Sequence, residues 1–571
     1  MFSPSLISMM LHSLGPEQRD AFGLPSSPGT PKIYSDIGDL AGALLQATSL
    51  RSYPFPAIPV VGRTRRPQRA LVELIANFVT FRFVESGGRL FFWGRIPLDL
   101  LVKLFAEAYQ YAAETEYIDL GTPLHETAGR SQYGQTCESL LKLTADPPGS
   151  GGPKPATVGA AIIDMGTLDS SASPDDYGGK LRHAVVAGVK MSDHAEKVLS
   201  VLLERLKTNG VLGDATIGCA LVKKPGPHMV MGRSCFDHAC APEIIDAAAA
   251  LEPQLTADNI PVAINMSLGT HVGPHNGMSP LEEYMASTIT TTSRYLVVAA
   301  GNEGGKGWAA KRSLVADEPE FIGLHSGPMC EEFLVEFWWD DSTPKDLSIE
   351  AEIYETFSGK KTHHGTLPIN PKTAGAVLTT VPIGLPGGMA THSLFQSKVH
   401  KDFSCVAFAM SSGTPGTNLP PLQIRLKLTA RKDVAVNSWI VVAEEQNPLT
   451  VFVEGGPECS IAVPASDLTT LSVAGLQATG QIWEGSSRGP AAQYDTKAAT
   501  GSPLMAHLAN LGSELGTSFA SPRACADVVK TLNDPGKQPK CVDSMKLLSE
   551  TYPLPSGHPW SARSGYHKQK H

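Results

Sequence analysis

No stretch of this chain stays apolar for the roughly 18 to 20 residues that a membrane-spanning helix needs, so a spanning role is excluded first. Positive charge is in the minority: 47 Lys and Arg stand against 56 Asp and Glu, a formal net charge of −9. Nucleic acids and anionic membranes select the opposite balance, so neither is an expected partner. Cysteine is scarce, with nine scattered and odd in number among 571 residues. That usage suits a reducing compartment and excludes a disulfide framework. The opening "MFSPSLISMMLHSLGPEQRD" lacks a basic n-region and a small-residue cleavage site, so no secretory signal is expected and the chain is assigned to the cytoplasm. Metal ligands are sparse as well. The closest thiols, Cys235 and Cys240, have His238 between them and His228 nearby, but no second cluster completes a four-ligand set. No calcium-loop signature stands out, and no cofactor or metal is expected.

What remains is an ordinary globular composition, 42% hydrophobic and 18% charged, at a length that divides into two or three domains. Residues 1–70 are rich in Pro, Ser and Gly, and "GRTRRPQR" (62–69) reads as solvated. A small α+β unit follows at about 70–125: strand "NFVTFRFV", a Gly87-Gly88 turn, strand "RLFFWG", helix "PLDLLVKLFAEAYQYAAE" and strand "TEYIDLG". "ADPPGSGGPKP" (145–155) is a linker signal that closes an N-terminal region of 1–150. From 151 to 307, buried strands "TVGAAIID", "IGCALVK", "PVAINMSL" and "YLVVAAG" alternate with helices starting "HAEKVLSVLLERL", "APEIIDAAAALEP" and "PLEEYMASTITTTSR". That rhythm predicts an α/β fold with a doubly wound, mainly parallel sheet and a site at the strands' carboxyl ends. Asp164, Ser267, Gly269 and Asn302 fall there. Residues 308–456 carry short alternating runs with Gly and Pro turns, the pattern of an inserted β-sandwich, within which "KKTHHGT" (360–366) reads as a solvated turn. The α/β pattern resumes over 457–550, and 551–571 reads as a flexible tail.

The stretch "ELGTSFASPRACA" (514–526) admits two readings. In one, Gly ends a loop, Thr or Ser caps a helix and Pro sits in the first turn. In the other, Ser518 is a nucleophile aimed out of the fold beside backbone N–H groups that welcome an oxyanion. The second needs a base, a carboxylate to orient it and donors for the oxyanion.

"INMSLGT", "VVAAGNEG", "SSRGP" and "GTSFASP" occur in one order and context. In these motifs the chain resembles the subtilisin-like serine peptidases (subtilases), over roughly 157–307 and 457–533. The resemblance implies a serine endopeptidase acting on polypeptides, with Ser518 as nucleophile, His194 in "SDHAEKVLS" as base and Asp164 in "AIIDMG" as its orienting carboxylate. It further implies that Asn302 and the Ser518 amide form the oxyanion hole, and that Ser267, Leu268 and Gly269 form an edge that takes up substrate by strand addition. His183 in "LRHAVVAG" is the close competitor of His194. Two departures stand out: the family's His-Gly-Thr-His-Val is His194-Ala195-Glu196-Lys197-Val198 here, and its Asp-Ser-Gly or Asp-Thr-Gly is Asp164-Met165-Gly166.

Taken alone, each residue has a plainer role: a cap for Ser518, a turn for Asn302, a capping-region histidine for His194, a solvated strand end for Asp164. The α+β unit occupies the place of the family's inhibitory prodomain, with 145–155 as a processing region; a permanent interaction domain is the equal alternative. The insert resembles the jelly roll of the clostridial Csp subtilases, with a rigidifying or regulatory partner-binding role. A pseudopeptidase that keeps the fold as a binding module, and an enzyme held shut until a partner releases it, are the competing readings.

Overall fold

The computed structural model describes residues 32–34, 37–48, 57–64, 82–86, 88–110, 117–120, 125–126, 156–168, 181, 183–184, 189–223, 241–257, 259–289, 293–327, 332–340, 347–357, 360–368, 377–383, 389–399, 403–411, 418–442, 450–457, 459–467, 469–489, 507–512 and 515–534, with Leu6 and Met10. The linker at 145–155, the tail at 551–571 and the Cys235/Cys240 loop lie outside the described residues.

Seven parallel strands form the central sheet. Across it they run His507–Asn510, Leu471–Leu476, Arg294–Ala299, Val262–Met266, Val158–Leu168, Ala215–Lys223 and His183–Ala184. Val189–Met191 adds an eighth, antiparallel to the end of Val158–Leu168. Alternation along the central strand decides what each face buries. Val158, Ala160 and Ile162 join one apolar cluster with helices Asp193–Thr208 and Thr517–Leu532. Ala161, Ile163 and Met165 join the other, with helix Ala241–Ala257 and the short helix Pro280–Tyr284. Each large apolar side chain buried this way contributes about 1.5–3 kcal/mol. The chain starts at Val158–Leu168, places Ala215–Lys223 on one side and then crosses to place Val262–Met266 on the other.

Two further antiparallel sheets enclose a second core. One contains Ala309–Leu314, Glu332–Asp340, Phe403–Ser411 and Val434–Val442; the other contains Glu320–Ser326, Leu347–Phe357, Lys360–Pro368 and Leu422–Ala430. Phe333, Phe337 and Trp339 from the first meet Ile349, Ile424 and Leu426 from the second. The histidine pair read as a turn belongs to strand Lys360–Pro368, whose register with Leu347–Phe357 is fixed by backbone pairing that its polar side chains do not advertise.

A four-stranded antiparallel sheet, Arg82–Ser86, Arg89–Pro97, Ala57–Thr64 and Tyr117–Leu120, builds the N-terminal unit with helix Leu98–Gln110. It starts earlier than the sequence suggests. Strand Lys32–Tyr34, helix Ile37–Thr48 and strand Ala57–Thr64 all fall within 1–70, and Lys32–Tyr34 pairs with Val377–Ile383 of the first of the two sheets that enclose the second core. Arg63, within the stretch read as solvated, is 4% exposed and pairs with Glu283. One face of this unit packs Phe91 and Trp93 against Tyr284. Around that contact Arg89 meets Glu283 at 2.6 Å, Arg95 meets Glu243 at 2.6 Å and Trp93 Nε1 donates to Asp246 at 2.7 Å. On its other side its apolar cluster takes in Leu334, Ala407 and Val441 of the sandwich.

Candidate active site

Asp164 follows "AII" in the central strand, one position beyond Ile163, which pairs with the last residue of Val262–Met266. Its carboxylate is therefore at the carboxyl edge yet fully buried. Oδ1 accepts two hydrogen bonds, from the Met165 amide at 2.7 Å and from His194 Nδ1 at 2.8 Å. A carboxylate on Nδ1 fixes the ring's orientation and directs Nε2 away from it. His194 is the second residue of its helix. Ser192 caps that helix, its hydroxyl accepting from the Ala195 amide at 3.1 Å. The departures after His194 lie off the site: Ala195 is buried in the core, while Glu196 and Lys197 are exposed.

Ser518 is likewise the second residue of its helix, Thr517–Leu532. The cap here is neither Thr nor Ser but Gly516, with φ 135° and ψ 138° and no side-chain cap bond. Only glycine adopts that backbone at little cost, and a bare cap leaves the helix start open. Pro522 has no N–H to offer the carbonyl four residues back, which is that of Ser518. Ser267 takes the place of that donor: its Oγ donates to the Ser518 carbonyl at 3.0 Å, while Asn265 Nδ2 donates to Ser267 Oγ at 3.0 Å. Ser518 Oγ in turn donates to the Ser267 carbonyl at 3.3 Å. The end of strand Val262–Met266 is thus laced to the start of the Ser518 helix.

The two helices are also fastened to each other. Arg205 forms a two-pronged pair with Asp527 at 2.8 and 3.1 Å, and Asn209 Nδ2 donates to Asp527 at 2.9 Å. Phe519, next to the serine, lies 6.1 Å from the His194 ring between centroids.

Asn302 follows strand Arg294–Ala299 after Ala300 and Gly301. Its Oδ1 accepts from the Thr517 amide at 2.9 Å and from Thr517 Oγ1 at 3.1 Å. With the carbonyl end held by two donors, Nδ2 is the donor end of the side chain. Gly301 supplies φ 113°, and its amide donates to Thr517 Oγ1 at 3.3 Å.

Leu268 and Gly269 are buried and form a two-residue edge strand. The chain itself occupies that edge: His125–Glu126 pairs antiparallel with it, Glu126 opposite Leu268 and His125 opposite Gly269. Ser267 takes part differently from its neighbours, through its hydroxyl under Ser518. His183 stands on the outermost strand, level with Gly218 and hence with Ala161, two strands away from Asp164.

Three residues near the site carried no local signal. Glu303 is 8% exposed and accepts the Asn302 amide; His271 approaches it at 3.4 Å; His275 stacks on Trp439. Among the described residues, no group of three or more His, Cys, Asp and Glu is placed to hold a metal ion.

No protein-family model matches this chain, and no curated protein does. Its trace is similar to that of solved serine proteases. The CspB protease of Clostridium perfringens aligns with TM-score 0.47 and 15% identity, over 66% of this chain and 83% of that one. The epidermin leader peptide processing serine protease EpiP of Staphylococcus aureus aligns with TM-score 0.23 and 13% identity, over 44% of this chain and 62% of that one. Fervidolysin of Fervidobacterium pennivorans, a keratinolytic enzyme related to subtilisin, aligns with TM-score 0.24 and 8% identity, over 71% and 96%.

Proposed function

We propose that this chain is a serine endopeptidase of the subtilisin type, with Asp164, His194 and Ser518 as its triad. The observation that carries the reading is the 2.8 Å bond between the buried side chains of Asp164, on the central strand, and His194, on a helix fastened to the one whose second residue is Ser518. His194 Nε2 removes the Ser518 proton as Oγ attacks the peptide carbonyl. Asp164 holds the imidazole and stabilises its charged form. The oxyanion is met by Asn302 Nδ2 and the Ser518 amide. His194 then returns the proton to the leaving amine, and water, deprotonated by the same ring, hydrolyses the acyl-enzyme. The substrate is an extended polypeptide paired with Ser267, Leu268 and Gly269.

A second reading is favoured by one observation: residues of the chain's own N-terminal region, His125–Glu126, lie on the substrate edge. On that reading, the region 1–150 works as an inhibitory segment, the α/β unit spans 151–307 and 457–550, and 308–456 is an inserted β-sandwich that binds a partner. The enzyme is then shut until the edge is vacated.

Fluorophosphonate labelling of the purified chain beside Ser518→Ala and His194→Ala, with peptide mapping of the adduct, tests both. Labelling at Ser518 that both substitutions abolish is the expected result. Labelling that survives Ser518→Ala, or maps elsewhere, overturns the assignment. Labelling of Ser518 together with negligible peptide hydrolysis selects the shut enzyme.

A further inference from the structure

Glu303 has no part in the reaction above, yet its carboxylate is folded beneath the residue that would hold the oxyanion. It is 8% exposed, and burying a carboxylate is unfavourable unless strong donors meet it. Its Oε2 accepts the Asn302 main-chain N–H at 2.6 Å. Close approach is possible only because the residue before Asn302 has no side chain: a Cβ on Gly301 would lie 2.6 Å from the same oxygen. The Glu303 amide donates to Ser487 Oγ at 3.3 Å, and the Gly301 carbonyl accepts from the Ser487 amide at 2.9 Å. The His271 ring, with Nε2 at 3.4 Å, and Lys306 Nζ, at 3.9 Å, complete the surroundings.

The imidazole of His271 is itself gripped. It stacks on His275 at 5.3 Å and 14°, and its edge faces Trp308 at 6.4 Å. His275 stacks on Trp439 of the sandwich at 4.0 Å and 8° and bonds the Ile461 carbonyl through Nδ1 at 2.6 Å. Lys306 lies over the Trp308 ring at 4.4 Å.

Asn302 is therefore held at two points: the side-chain oxygen by Thr517 and the main chain by Glu303. The two together aim Nδ2. We propose that Glu303 is a positioning residue for Asn302, held in place by His271 and through it by Trp308 and Trp439. The inference rests on the oxyanion role of Asn302. It gives the sandwich a physical grip on the site, because Trp439 stands at the far end of the stack. A group that acts only by aiming another has no effect once the other is removed.

The test is the rate of fluorophosphonate labelling of the full chain, whose P=O oxygen takes the oxyanion position, in Asn302→Ala, Glu303→Ala, Glu303→Gln and the Asn302→Ala/Glu303→Ala double variant. Loss of Asn302 should slow labelling by about 10²–10³-fold. Glu303→Ala should slow it about 10-fold alone but by less than about 2-fold in the Asn302→Ala background, and Glu303→Gln, which keeps an acceptor, should retain more rate than Glu303→Ala. An equal loss in both backgrounds makes Glu303 merely structural and overturns the inference. If Asn302→Ala labels as fast as the parent, it is the oxyanion reading that fails. Hydrogen exchange over 300–306 decides the anchoring without any chemistry: Glu303→Ala should accelerate exchange of the Asn302 amide, and unchanged protection overturns the proposal even in a chain that does not label.

Discussion

Glu282 offers a measurement whose sign and size both follow from where it sits. The side chain is fully buried at the start of helix Pro280–Tyr284, where it completes a capping box with Ser279 at 3.0 and 3.2 Å and accepts from the Ser466 hydroxyl. Burial, with the charge of Asp467 nearby adding to it, raises this carboxyl from 4.5 to about 7. The folded state therefore keeps a proton that the unfolded chain has released, and stability falls wherever that is so. The contribution is whole below about pH 4.5, declines as pH rises through 7 and is gone above it. A rise of that size corresponds to about 3 kcal/mol. Glu282→Gln keeps an acceptor for the Ser279 amide but does not titrate. Urea unfolding of both proteins at pH 5 and pH 8.5 should show the variant gaining on the parent by roughly 2–3 kcal/mol as pH rises. A difference that is the same at both pH values refutes the reasoning, because a neutral carboxyl would then not be what burial selects.

Four other outcomes follow. Asp164→Asn should leave the fold intact and cut the labelling rate of Ser518 by about 10⁴-fold, since the amide holds His194 in the wrong tautomer; a loss below tenfold would place the orienting group elsewhere. Gly516→Ala should lower stability by about 1–3 kcal/mol, read as a drop in melting temperature, because the φ of 135° strains any side chain. Glu283→Ala leaves Arg63, 4% exposed, without its carboxylate and should cost about 3 kcal/mol. Protease cleavage within 57–97 should rise with it. Glu126→Pro removes a backbone donor opposite Leu268 and should speed peptide hydrolysis several-fold; an unchanged rate would mean that this pairing does not guard the edge.

Parts of this were legible in residue order because they depend on local pattern. Runs such as "VGAAII" (158–163) and "YLVVAAG" are without a charged residue, as strands covered on both faces tend to be. Asp164, Asn302 and Ser518 each stand just after such a run or at a helix start, so their places in the fold were legible. Other features depend on partners far away in sequence. Strand Lys32–Tyr34 has only three residues and gains its identity from Val377–Ile383. Lys360–Pro368 is largely polar in sequence, and only its pairing makes it a strand. Glu303 looked like one more charged loop residue, since nothing nearby in sequence says that His271 will meet it. The Thr or Ser cap, one of two readings of the stretch, fails for a different reason: those residues favour caps on average, but the cap is Gly516, and Asn302, distant in sequence, accepts the Thr517 amide instead.

The segment that forms the two antiparallel sheets leaves the central-sheet region and returns to it at closely paired ends. Phe452 donates its amide to the Gly307 carbonyl at 2.8 Å, Gly456 to Ala309 at 3.1 Å and Ala462 to Ala300 at 2.8 Å. An excursion whose ends meet so closely adds little closure entropy once it has folded, however long it is. The excursion also imposes an order on biosynthesis. Asp164, His194 and Asn302 leave the ribosome before the sandwich, and Ser518 leaves after it, 354 residues beyond Asp164 (518 − 164). Domains fold as units in the order they emerge. Ser518 thus arrives last, and on the proposed reading the nascent chain is without peptidase chemistry until its helix 517–532 docks.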